Sequence, residues 1–197
     1  MSDDLVNGSV AAIILAGGKS SRFGTNKGLY DFQGQPLILQ MMSIVSGIAK
    51  RIVVSVAPGQ SQSFRDVLGD TIEIVEDSEP FLGPLMGLKN ALKAVSEEYV
   101  LLAPCDMPFL KGELYKFLLG RIGNLDAAIL VLNGYFEPII GLYHTDALRK
   151  AVDSVTQKGG KKLTDILGDL TVTAVNEGEL RAVGINRTSF LNLNTQL

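Results

Sequence analysis

Val10–Lys27 reads VAAIILAGGKSSRFGTNK, and this stretch decides the fold class. The run Val10–Ala16 is apolar without interruption, as expected of a strand buried on both faces rather than one half in water. Gly17-Gly18 ends it and opens a turn-rich segment, so the chain leaves the strand at a point where backbone lies exposed. Outward from here, short aliphatic or β-branched runs alternate with segments of helical period. Strands are predicted over Val10–Ala16, Arg51–Val56, Thr71–Val75 and Tyr99–Ala103. Helices are predicted over Pro36–Ala49, Gln60–Leu68, Leu85–Val95 and Lys111–Arg121. In the second half, Asp126–Leu132, Ile139–Tyr143 and Thr171–Val175 read as strands. Thr145–Val155 reads as a helix and Leu163–Leu167 as a short one. Alternation of this kind predicts a single-domain, three-layer, Rossmann-like α/β fold with a mixed, mostly parallel sheet. No internal repeat or long linker divides the chain.

Bulk properties narrow the function classes. A chain of 197 residues with 46% hydrophobic and 20% charged residues can bury a sizeable core. A net charge of -3 argues against a nucleic-acid partner, which demands a basic face. The single cysteine, Cys105, excludes an internal disulfide and a cysteine-rich metal site. Asp3 and Asp4 near the start do not fit a signal peptide. No apolar stretch approaches the roughly 18–20 residues of a membrane span. The expected location is the cytoplasm, with no membrane association.

Ligands of open α/β sheets bind beyond the carboxyl ends of the strands, near a topological switch point. The first strand runs into Gly17-Gly18, the third into Glu76-Asp77, and the fourth into Cys105-Asp106. If these strands are parallel, a glycine loop and two carboxylates share one edge. The loop holds glycines 17, 18, 24 and 28 and the cations Lys19, Arg22 and Lys27. Glycines let backbone N–H groups approach a phosphate, and the cations offset its charge; an ordinary basic surface loop is the alternative. A Walker A loop is excluded because Ile13 stands where its first glycine belongs, and no G-x-G-x-x-G spacing occurs. Asp106 lies in Pro104-Cys105-Asp106-Met107-Pro108, where two prolines restrict the backbone around it. A lone, fixed carboxylate suits magnesium, which completes its shell with phosphate oxygens and water; a turn-capping aspartate is the competing reading. Asp77 admits the same pair of readings, nucleotide contact or cap. Cys105 reads as a small buried hydrophobe, and His144 as structural.

The stretch Leu15–Lys27 resembles the L-A-G-G-x-S-x-R-M-G-x-D-K signature of the molybdenum cofactor guanylyltransferases, which have the nucleotide-diphospho-sugar transferase fold. The resemblance continues through Glu76-Asp77, Gly83-Pro84-Leu85, the PCDMP stretch, Glu137-Pro138 and Phe190–Thr195. It implies a nucleotide-binding half over residues 9–110 and an acceptor-binding half over 111–197. It further implies that Leu15, Ala16, Gly17 and Gly18 hold the nucleoside side of GTP, with Asp77 a further nucleotide contact. By the same resemblance Lys27 and Arg22 contact phosphates and act in catalysis, and Asp106 is the catalytic ligand of Mg2+. Asn192 or Asn194 is implied near the metal or the second substrate. The implied reaction moves GMP from GTP to the molybdopterin-bound cofactor and releases pyrophosphate; transient contact with other molybdenum cofactor proteins is implied too. A molybdopterin cytidylyltransferase, a sugar-phosphate nucleotidyltransferase and a non-catalytic nucleotide-binding module are the alternatives. Asn26 and Phe23 depart from the signature, which has Asp and Met there, so Asn26 lacks a charge expected beside Lys27. Ser55 stands where some relatives place an asparagine. Asn133–Pro138 and Gly159–Leu163, with Lys161 and Lys162, are the candidate segments for the acceptor, since cations and glycines suit its phosphate; a solvated surface loop is the alternative reading.

Overall fold

Residues 10–17, 26–77 and 83–193 are described by a computed structural model of the chain. Their main sheet has seven strands: β1 (Val10–Leu15), β4 (Arg51–Val56), β5 (Glu73–Glu76), β6 (Tyr99–Pro104), β7 (Ala127–Leu132), β8 (Tyr135–His144) and β9 (Val172–Asn176). The spatial order is β5-β4-β1-β6-β8-β7-β9. Strands β5, β4, β1 and β6 run parallel, β8 runs antiparallel to both β6 and β7, and β7 pairs parallel with β9. The expectation of a mixed, mostly parallel sheet is met.

Alternate residues of β1 explain why its sequence is apolar throughout. Val10, Ala12 and Ile14 enter one core with α1 (Leu37–Ser46), α2 (Ser61–Leu68) and α4 (Gly112–Ile122). Ala11 and Ile13 enter the other, with α3 (Pro84–Leu92) and α5 (Thr145–Gln157). Helices thus cover both sheet faces, giving three layers. Each fully buried Val, Leu or Ile side chain contributes about 1.5–3 kcal/mol relative to exposure, so the two cores supply most of the driving force for folding.

The differences from expectation have local causes. The helix predicted over Pro36–Ala49 starts at Leu37 and ends at Ser46, because Pro36 is drawn into a two-residue hairpin of β2 (Asp31–Phe32) and β3 (Gln35–Pro36). That hairpin is too short to leave a period-2 signal. The third strand begins at Glu73, not Thr71. Strand β8 starts at Tyr135, four residues before the predicted Ile139, since pairing with β7 continues past the end of β6. A short helix α6 (Glu177–Ala182) was not anticipated; Asn176 caps it and Glu179 returns a bond to the Asn176 N–H. The short helix expected over Leu163–Leu167 is present as a 3-10 helix over Leu163–Asp169.

Candidate active site

The chain moves outward from β1 to β4 and β5, then crosses back to place β6 on the other side of β1. Between β1 and β6 the chain paths diverge, which makes this the topological switch point. In register, Leu15 is paired with both Ser55 of β4 and Pro104 of β6, and Val56 with Glu76 of β5. Gly17, Asp77 and Asp106 therefore follow β1, β5 and β6 at the same end of these parallel strands. Strands β5 and β6 are three strand spacings, roughly 14 Å, apart, with β4 and β1 between them.

At the β1 end, the Ala16 N–H donates to the Ser55 carbonyl at 2.8 Å. A Cβ on Gly17 would lie 3.1 Å from the Ala57 nitrogen and 3.2 Å from the Val56 carbonyl carbon. A side chain here would press on the β4 exit and require that backbone to give by a few tenths of an ångström. Gly18 and Arg22, with Lys19, lie outside the described residues.

The other flank of the glycine-rich stretch returns to the same place. Asn26, only 6% exposed, donates from Nδ2 to the Ala16 carbonyl at 2.9 Å and also to Gln60 Oε1. Its Oδ1 accepts from the Gly28 N–H at 2.8 Å, capping a 3-10 turn over Lys27–Leu29. That turn directs Lys27 across the switch point, where Nζ lies 3.4 Å from Asp106 Oδ2. The expected missing charge at position 26 is thus not a defect here. An aspartate could not donate to the Ala16 carbonyl, whereas the asparagine amide meets an acceptor and a donor together.

Asp106 is held on two sides. The hairpin β2–β3 packs against its loop through Phe32 and Phe109, whose rings meet edge to face at 5.7 Å. Its carbonyl accepts from the Leu193 N–H at 3.2 Å. This bond brings Asn192 to the Asp106 neighbourhood; Asn194 is outside the described residues. Cys105 is buried, and burial first, with the neighbouring Asp106 charge, pushes its thiol up to about 12. A thiol so protonated is no nucleophile. His144 stacks on Tyr99 at 4.5 Å, at the opposite end of β6, and is remote from this chemistry.

Glu76 and Asp77, adjacent in sequence, take different roles. Glu76 accepts from the Gly59 N–H at 2.7 Å, and from the Ser61 N–H and hydroxyl, so it caps α2. Those bonds, the Ser61 hydroxyl foremost, hold its carboxyl below the usual range. Asp77 is fixed by its N–H on the Val56 carbonyl at 3.0 Å. Its Oδ1 is buried without a hydrogen-bond partner. Burial raises its carboxyl above the ordinary value, while a bond from Asn90 opposes the shift. An unpaired buried acceptor costs about 1–3 kcal/mol unless a ligand donor meets it. Gly87, one helical turn before Asn90 on α3, lies against the same group. A Cβ there would come within 2.8 Å of Ser55 Oγ and 3.2 Å of Asp77 Oδ2. Gly87, Asn90 and Gln60 were not singled out in the sequence, because glycine and amide residues on helix flanks carry no motif. Ser55 left one trace, a hydroxyl within the apolar strand Arg51–Val56 that proves 1% exposed.

Of the acceptor segments, Gly159–Leu163 abuts the start of α3, where a Cβ on Gly83 would lie 3.1 Å from the Lys161 carbonyl. Asn133–Gly134 forms the turn joining β7 to β8, and the Asn133 side chain accepts from Arg187. Beyond it, Tyr135 is 76% exposed, and burial raises the Glu137 carboxyl. Among the described residues, no cluster of three or more His, Cys, Asp or Glu side chains could hold a metal. Among the same residues, no helix is long and apolar enough to cross a membrane.

A glycine turn at the parallel edge, a lysine–aspartate pair across the switch point and a second carboxylate with one open oxygen fit the site of a nucleotidyltransferase. Residues 12–173 match the MobA-like NTP transferase domain, and the chain belongs to that family. A probable molybdenum cofactor guanylyltransferase from Carboxydothermus hydrogenoformans is 31% identical, covering 95% of this chain and 91% of that protein. The counterpart from Haloferax mediterranei is 30% identical, covering 94% and 89%. The crystal structure of molybdopterin-guanine dinucleotide biosynthesis protein A from Archaeoglobus fulgidus superposes with a TM-score of 0.75 at 25% identity, covering 94% of this chain and 93% of that one. The 2-C-methyl-D-erythritol 4-phosphate cytidylyltransferase of Thermus thermophilus shares the fold, with a TM-score of 0.70 at 18% identity.

Proposed function

We propose that the chain transfers GMP from GTP to the terminal phosphate of a molybdopterin-bound molybdenum cofactor, releasing pyrophosphate. The observation that carries the reading is the order of groups along the strand ends. Asp77, with an unpaired acceptor, follows β5, and the Lys27–Asp106 pair lies beyond β6, three strand spacings or roughly 14 Å across the sheet, with Leu15–Gly17 leaving β1 between these strands. An extended nucleoside triphosphate has the same order, with N–H and O–H donors at one end and phosphates at the other. Asp77 accepts from the nucleoside. The β1 exit supplies backbone, and Lys27 neutralises charge developing on the leaving pyrophosphate. The resemblance of the glycine-rich stretch assigns Arg22 and Gly18 to the same triphosphate. Asp106 is the residue that would hold Mg2+, which supplies charge neutralisation at the phosphates when bound. The attacking phosphate of the acceptor is ionised near neutral pH, so no general base is required. Alignment of the two phosphates carries most of the rate.

The acceptor is read at Gly159–Leu163, because this segment touches Gly83 beside the nucleotide groups, and at Asn133–Pro138. Transient contact with other proteins handling the molybdenum cofactor follows from a product that is passed onward. Thermal unfolding with GTP, CTP, ATP and UTP, each with and without Mg2+, tests the nucleotide. GTP should raise Tm most, and only fully with magnesium, since a ligand bound by the folded state stabilises it by mass action. A preference for CTP would replace guanylyl by cytidylyl transfer, and no response to any nucleotide would remove the transferase role. Formation of the guanine dinucleotide and pyrophosphate from GTP and molybdenum cofactor tests the acceptor.

A further inference from the structure

We infer that Asn26 is a positioning residue, which sets nucleoside triphosphate affinity by fixing Lys27 relative to the end of β1; this rests on the reading of Lys27 as a triphosphate ligand. Two features of Asn26 carry the inference. It is nearly excluded from water. Its side chain bridges three separate pieces of backbone or side chain: the Ala16 carbonyl at 2.9 Å, Gln60 Oε1 before α2, and the Gly28 N–H at 2.8 Å. The first of these joins residues ten apart, bringing the two flanks of the glycine-rich stretch together. The second ties both to the start of α2, whose Phe64 packs within 3.1 Å of a Cβ built on Gly28.

Lys27 sits between the bridged residues. With Asn26 anchored before it and the Gly28 N–H held after it, its backbone cannot rotate without breaking buried hydrogen bonds. Nζ is thereby aimed at Asp106, on the far side of the switch point. Lysine carries roughly 2 kcal/mol of rotamer entropy on a flexible stem, so a fixed backbone origin limits where its charge can go. An amide is the group of this length that donates to a carbonyl and accepts from an N–H at once. Removing it strands the Ala16 carbonyl and the Gly28 N–H in a dry site.

The test is a double-variant cycle read by calorimetric binding of Mg·GTP without acceptor. It uses the full chain as wild type, Asn26→Ala, Lys27→Ala and the combination. Each single variant should weaken binding about ten- to a hundredfold, and the combination should bind no worse than Lys27→Ala alone. A purely structural role would lower Tm and leave the two losses multiplicative. Wild-type affinity in Asn26→Ala, or multiplicative losses in the combination, overturns the inference. Wild-type affinity in Lys27→Ala overturns the underlying reading of Lys27, and the inference with it. Should Asn26→Ala fail to fold, Asn26→Ser, which keeps an acceptor for the Gly28 N–H, and Gln60→Ala replace it under the same criteria.

Discussion

Lys27 Nζ lies 3.4 Å from Asp106 Oδ2, across the gap where the chain paths of β1 and β6 diverge. Seventy-nine residues separate the two in sequence. Their juxtaposition sets one cation and one carboxylate where phosphates and a divalent ion would meet. Asp106→Ala should therefore reduce guanylyl transfer by about two to three orders of magnitude, in line with loss of a charge-stabilising group. It should also remove the magnesium dependence of GTP binding, with Tm within a few degrees of wild type. Steady-state kinetics and calorimetry with and without Mg2+ measure both, and near-normal turnover would take Asp106 out of the metal site.

Asp77 holds a carboxylate whose ionised form burial disfavours. Its folded carboxyl is raised by burial, so the unfolded chain releases that proton first and the ionised form is disfavoured in the fold. The sign follows from linkage: stability contributed at this site is greatest below the ordinary carboxylate range. It falls as pH rises through the raised value of the folded state and stays reduced above it. Asp77→Asn removes that dependence. Its Tm at neutral pH should equal or exceed that of wild type, while GTP binding weakens at least about tenfold. A lower Tm together with unchanged GTP affinity would show that Asp77 serves the fold instead.

Gly87→Ala puts two principles in opposition. Alanine is the better helix former by up to about 1 kcal/mol, yet its methyl would approach Ser55 Oγ to 2.8 Å. Overpacking typically costs about 1–3 kcal/mol, so the variant should be less stable in urea. Its GTP affinity should fall as the Asp77 carboxylate is displaced. A gain in stability with unchanged binding would show that α3 shifts freely, contrary to its packing.

Cys105 precedes Asp106 but takes no part in the chemistry. Buried, and with its thiol pushed up to about 12, it should resist alkylation by iodoacetamide at pH 8 in the native protein. It should react fully once unfolded. Cys105→Ala should keep transfer activity within a few-fold of wild type. Rapid labelling of the native protein, followed by mass spectrometry, would contradict this burial.

The parallel half of the sheet was legible because its strands are buried on two faces and leave unbroken apolar runs, as in Val10–Ile14. Arg51–Val56 was read to the residue. The hairpin Asp31–Pro36 and the capped helix Glu177–Ala182 were not, since both are shorter than the periods that would announce them. Asp77 and Asp106 could be nominated as carboxylates at strand ends. Their differing surroundings could not, because Asn90, Gly87 and Ser55 reach Asp77 only through the packing of α3 on β4 and β5.

By itself the sequence determined the layered fold, the glycine-rich exit of β1 and the lysine and two aspartates beside it, since each rests on local pattern and strand chemistry. Tertiary structure alone decided what those residues do to one another. It gave Glu76 to the cap of α2 and left Asp77 with an open acceptor. It also turned Asn26 from a missing charge into a buried bridge from Ala16 to Gln60. Hydrogen bonds in a dry site depend on where distant backbone atoms fall, and that placement follows from packing the whole sheet.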